Sequence, residues 1–153
     1  MEKCYSIIYV ELIFAVRSKD CLIAAHWQNE LYKYMCGIVR AKNQKVYAIG
    51  GAADHVHLLV SIKTNIVLAD LVRIIKANTS KWINEKKFTP KKFTWQKGCL
   101  AFSSSKYSID KDIAAIRTQE DYHKKYSFQQ EYLRKTRKIN LNPYEKQIFD
   151  WLN

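Results

Sequence analysis

Residues 5–16 alternate in character. Ile8, Val10, Leu12, Phe14 and Val16 share one side, and Tyr5, Ile7, Tyr9, Glu11 and Ile13 the other, which predicts a long strand with one greasier face. The period changes over residues 22–39, where Trp27, Leu31, Tyr34, Met35 and Ile38 fall on one helical stripe that ends near Lys42-Asn43. Lys45–Ile49 and His55–Ile62 read as strands. The connection Gly50-Gly51-Ala52-Ala53-Asp54 is short enough to make them an antiparallel pair. Residues 66–84 return to the helical period, with Leu68, Leu71, Val72, Ile75 and Trp82 on one face. A last strand is expected around residues 93–103, interrupted at Gly98, and one helix from Ile109 to Lys125. Ser127 with Gln130 has the form of a capping box opening another helix, which Asn142-Pro143 breaks before a short tail helix.

The order β-α-β-β-α-β followed by helices predicts an α+β, ferredoxin-like antiparallel sheet with a C-terminal helical extension. The chain of 153 residues suits a single domain spanning 1–153, its core at 4–106 and its extension at 107–153. No apolar run reaches the length of a membrane span, and no signal-peptide pattern opens the chain, so a cytoplasmic protein without a membrane partner is expected. Cys4, Cys21, Cys36 and Cys99 form no CxxC pair, which argues against a zinc ribbon or dithiol site and for free thiols.

Charge changes the picture. Lys and Arg number 26 against 14 Asp and Glu, a net charge of +12, which favours a polyanionic partner. His55 and His57, two apart in a strand, face the same side, with Val56, Leu58, Val60 and Ile62 on the other. The imidazoles therefore turn away from the helix-covered core, towards an open face of the sheet. Two imidazoles on one face can hold a divalent cation, given a third ligand. Taken alone, such a pair more often marks only a polar strand face.

The stretch Gly50 to Val60 resembles the histidine-hydrophobe-histidine motif of the single-tyrosine HUH transposases, the small DNA-nicking enzymes of minimal insertion sequences, including relatives acting at repeated extragenic palindromes. The resemblance extends to Phe14-Ala15-Val16-Arg17, to Ile75 through Asn84, to Phe93-Thr94-Trp95-Gln96-Lys97-Gly98 with Ala101-Phe102-Ser103, and to Gln119 through Lys125 with Ser127-Phe128. It implies a homodimeric DNA transposase that binds hairpins in single-stranded DNA and cleaves and rejoins strands through a 5′-phosphotyrosine. It implies a divalent metal, Mg or Mn, on His55, His57 and Gln119, the last matching the glutamine of the family's Tyr-Ile-x-x-Gln motif.

Here the chain reads Ala115-Ile116-Arg117-Thr118-Gln119, with alanine at the nucleophile's position. A methyl group cannot attack phosphorus, so the chain as written is expected to be inactive. Three accounts stand open: an engineered knockout, a decayed or repurposed copy, or a substitute tyrosine. For the last, Tyr122 is the best placed and Tyr107 and Tyr126 are weaker, although Tyr122 lies about 10 Å further along a helix. A second departure is Leu100, where the family tends to carry glycine. Phosphate contacts are expected from Arg17, Lys76, Lys81, Lys86, Lys87, Lys124 and Lys125, with Arg134, Lys135, Arg137 and Lys138 continuing the second basic set. Two rival functions remain, a non-catalytic DNA-binding or regulatory derivative and an unrelated ferredoxin-like RNA-binding module with bases stacked on its sheet.

Overall fold

The computed structural model describes residues 4–140 and 148–152. Its elements run β1 (Tyr9–Ala15), α1 (Ala25–Ala41), β2 (Lys45–Gly51), β3 (His55–Ser61), α2 (Leu68–Lys86), β4 (Leu100–Ser104), α3 (Ile109–Arg117), α4 (Gln119–Tyr122) and α5 (Phe128–Lys138). The four strands form one antiparallel sheet in the order β2-β3-β1-β4, the ferredoxin-like arrangement.

The alternation of β1 and β3 decides what each face carries. Val10, Leu12, Phe14 and Val16 with Val56, Leu58 and Val60 point to the face covered by α1 and α2, where Trp27, Leu31, Met35, Val39, Leu71, Ile75 and Ile83 complete the main core. Trp95 belongs to this core, and its indole N–H donates to Thr79 Oγ1 at 2.8 Å. The opposite face is not open. Ile13, Ala15 and Leu100 pack there against Phe128, Tyr132 and Phe149, while Ala48 and Leu59 pack against Ile116. The extension is thus a second covering layer on the side expected to be open. An RNA-binding sheet needs that face free for bases, and here it is occupied.

Three boundaries differ from the sequence expectation. The first strand begins only at Tyr9, because residues 4–8 lie outside the sheet. The last strand is confined to 100–104; Gly98 at φ +86° breaks the extended run, leaving Trp95 joined to Val16 by a single bridge. The helix expected over 109–125 divides at Thr118, whose hydroxyl donates back to the Ala114 carbonyl at 2.9 Å. The capping box at Ser127 forms as read: Ser127 Oγ accepts from the Gln130 N–H and Gln130 Oε1 from the Ser127 N–H. The Asn142-Pro143 break lies outside the described residues, and residues 148–152 are not helical. Cys4, Cys21, Cys36 and Cys99 are free, although Cys4 is exposed and Cys99 only half-buried. No helix among the described residues is long and apolar enough to cross a membrane.

Candidate metal centre

His55 and His57 project from β3 into the layer beneath α4 and α5, and neither has any exposed surface. Each ring is held from behind. Asp54 Oδ1 lies 2.7 Å from His55 Nδ1, and Glu11 Oε1 lies 2.8 Å from His57 Nδ1. Carboxylates on Nδ1 fix the tautomer and direct Nε2 inward, the outer layer that histidine metal ligands usually carry. Register explains Glu11: β1 pairs Ile13 with His57 and Glu11 with Leu59, so Glu11 stands diagonal to His57 on the same face.

Gln119 reaches this point from its own chain. Its buried Oε1 sits 3.0 Å from His55 Nε2, while its amide N–H donates to Glu131 Oε2 at 2.7 Å, which orients the carboxamide. Two further groups arrive that the sequence patterns did not point to. His123, one helical turn past Gln119, places Nε2 2.8 Å from the same Gln119 oxygen. Glu131, in the first turns of α5, places Oε1 2.8 Å from His57 Nε2 and 3.6 Å from His55 Nε2. Ligand-capable atoms of His55, His57, His123 and Glu131 all lie within 4.8 Å of one another. The i, i+4 spacing of Gln119 and His123 was visible as a pattern. Glu131 looked like any helix-surface acid, and nothing local in the chain separates it from Glu120 or Glu30.

Burial pushes the Glu131 carboxyl up, but hydrogen bonds with His123, His55 and His57 outweigh it and hold the group well below the usual carboxylate range. Burial likewise opposes ionisation of Glu11 and Asp54, and their imidazole partners again prevail, leaving both lowered. His57, penalised by burial yet flanked by Glu11 and Glu131, is raised.

The hydrogen-bonding pattern of this donor set suits a cation. His123 Nδ1 faces the Tyr126 carbonyl at 2.8 Å, and a carbonyl only accepts, so Nδ1 carries the proton. In the neutral ring Nε2 is then a lone pair aimed at the lone pairs of Gln119 Oε1. His55, with Nδ1 engaged by Asp54, presents Nε2 to the same oxygen. A shared cation turns that opposition of acceptors into common coordination, so the residues present fit a divalent metal.

Residue 115 lies on α3 and is exposed; Gln119 is buried. The break at Thr118 therefore separates two positions that a continuous helix would stack on one face. Both still line one groove, with Glu11, Tyr122, Arg134, Lys135 and Lys138. Tyr122 accepts from Arg134 at 3.3 Å, and Arg134 lies over the Tyr126 ring. Tyr107 is fully exposed.

The basic residues divide. Lys81, Lys86, Lys87, Lys124 and Lys125 are exposed, Lys81 facing Glu85 and Lys124 facing Asp121. Arg17 is exposed beside Asp150. Lys76 does not stand free for phosphate: it is half-buried and donates to the carbonyls of Gln96 and Gly98, clamping the loop before β4. Burial lowers its ammonium below the ordinary lysine value. Leu100, where the resemblance leads one to expect glycine, is buried against the layer of Phe128 and Tyr132.

A ferredoxin-like sheet that carries paired histidines on its central β3, opposed by a helix-borne glutamine, defines a class of protein by fold and site together. The family described as "Transposase IS200 like" matches over residues 4–119, and the chain belongs to that family. Among solved structures, the chain is similar to a candidate transposase from Deinococcus radiodurans R1, with 16% identity over 78% of this chain and 98% of that one and a TM-score of 0.60. It is similar also to a REP-associated tyrosine transposase bound to a REP hairpin, with 12% identity over 80% of this chain and 73% of that one and a TM-score of 0.60. At these identities the two structures share the fold. No curated protein matches the chain.

Proposed function

We propose that this transposase-family protein, one domain over 1–153, binds single-stranded DNA bearing hairpins, and that with Ala115 in the nucleophile's position it holds the strand without bonding to it. The observation that carries this reading is the convergence of His55, His57 and Gln119 beside the groove that contains residue 115. His55, His57 and Gln119 would hold a divalent ion, Mg or Mn in the family, whose chemistry uses such an ion to polarise phosphate oxygens. With three imidazoles nearby, a softer ion than Mg is favoured. Arg134, Lys135 and Lys138 give one wall of the groove a positive charge suited to a phosphate backbone. The REP-associated relative is bound to a hairpin, which supports the same class of partner here. Dimerisation belongs to the reading through the family resemblance, although the described centre is assembled within one chain.

The test is a mobility-shift titration with hairpin-tipped single strands, followed by denaturing electrophoresis. A salt-sensitive complex with no covalent adduct is expected. A metal-dependent adduct mapping to Tyr122 refutes the non-bonding half of the reading, and indifference to DNA refutes the rest.

A further inference from the structure

We propose that His123 and Glu131 join His55, His57 and Gln119 as ligands and close the coordination sphere, so that the centre is a structural metal site fastening α5 to the sheet and admits no phosphate. The closed sphere rests on the proposed metal-binding role of His55, His57 and Gln119.

The geometry carries this. Around a cation with bonds of about 2.1 Å, neighbouring ligands of an octahedron stand about 3.0 Å apart and opposite ones about 4.2 Å. Five of the donor pairs stand at 2.8, 2.8, 3.0, 3.6 and 3.7 Å, and ligand atoms of His55, His57, His123 and Glu131 all lie within 4.8 Å, which a small inward shift brings to bonding distance of one ion. These pairs take in His55, His57, His123, Gln119 and Glu131, a five-coordinate set of the kind Zn2+ and Co2+ accept. A centre that acts on a substrate keeps positions open. Here two grooves meet the cluster at its outer members: one reaches Gln119 and Glu131, another reaches His123, and neither is lined by His55 or His57, which are fully buried among the described residues. Phe128 seals the remaining side, its ring stacked on His55 at 3.9 Å and 3°. Leu100 and Tyr132 back that seal. Glu131 also supplies an anionic ligand that offsets half the charge of a divalent ion, whereas a centre meant to polarise phosphate gains from keeping that charge.

Three imidazoles with two oxygens suit Zn2+, Co2+ or Ni2+ better than Mg2+. The experiment uses Co2+ on the full chain after chelator treatment, read by visible absorption, calorimetry and thermal melting. One Co2+ per chain is expected, with a rise in melting temperature on loading. H123Q and E131Q should each weaken Co2+ binding at least about tenfold and shrink that rise, with far-UV circular dichroism reporting whether each variant folds. The decisive measurement needs no variant. Inorganic phosphate, azide or hairpin DNA added to the loaded native chain should leave the Co2+ spectrum unchanged. A spectral change on adding any of these overturns closure, as does native affinity in both variants, and the three-ligand reading survives either result. Failure of the native chain to bind Co2+ or Mn2+ at all overturns the metal reading as well.

Discussion

A Cβ built at Gly50 would lie 2.2 Å from the backbone oxygen of Ile116, at the end of α3, and Gln119 follows three residues later. Ordinary carbon–oxygen contacts need about 3.2 Å, so Gly50→Ala demands a shift of about 1 Å between β2 and α3. Neither side yields readily, because β2 is hydrogen-bonded to β3 and Ile116 is buried against Ala48 and Leu59. Overpacking of this kind costs about 1–3 kcal/mol, or a fall in melting temperature of about 3–9 °C for a chain of this size. Displacing α3 also carries Gln119 away from His55 and Glu131, and loss of orientation at a ligand costs about 10–100-fold in metal affinity. The control is Gly37→Ala in α1, where a Cβ meets nothing within 4 Å; it should stabilise by about 0.4–1 kcal/mol. Differential scanning fluorimetry with and without Mn2+ or Co2+ measures both. If Gly50→Ala melts with the native chain and binds metal equally well, the close approach of β2 and α3 does not position the centre.

Ala115→Tyr alone should not produce nicking of hairpin-tipped strands if the coordination sphere is closed; denaturing gels read for an adduct check this, and an efficient adduct would show an open centre. Lys138→Ala should weaken DNA binding and reduce the salt slope by about 0.7. Lys76→Ala should instead lower stability with little change in that slope, since Lys76 is spent on the Gln96 and Gly98 carbonyls. The lowered carboxyls of Glu11, Asp54 and Glu131 contribute stability above their unfolded values of 4.5 and 3.8, and it is lost as pH falls through their folded values. The raised His57 contributes in the opposite sense, fully present below its unfolded value of 6.5 and lost as pH rises through its folded value. Metal-free urea melts should therefore weaken on the acid side below about pH 4.5 and again as pH rises above about 6.5.

What the chain reveals about itself depends on periodicity. The β1 and β3 alternation, the stripes of α1 and α2 and the Ser127 capping box are local patterns, and each forms close to where it was expected. His55 and His57 were legible because a strand puts residues two apart on one side. The covering of that side was not, because it depends on α5 docking across 74 residues of chain to bring Glu131 to His57. The split at Thr118 is illegible for a related reason: a threonine inside a helix is ordinary, and only the buried destination of Gln119 makes a break there useful. Lys76 was misplaced because a lysine's reach lets it turn from solvent to nearby carbonyls, which helical spacing does not encode.

Glu11 meets both His57 Nδ1 and, at 3.4 Å, the Lys135 ammonium, so one carboxylate ties β1 to α5. Everything that roofs the histidines beyond α4 arrives after residue 127. A chain cut short at that point would keep its four strands and its main core yet lose Phe128 and Glu131 together. It would present two imidazoles and a carboxamide to solvent, a sealed compartment become an accessible platform.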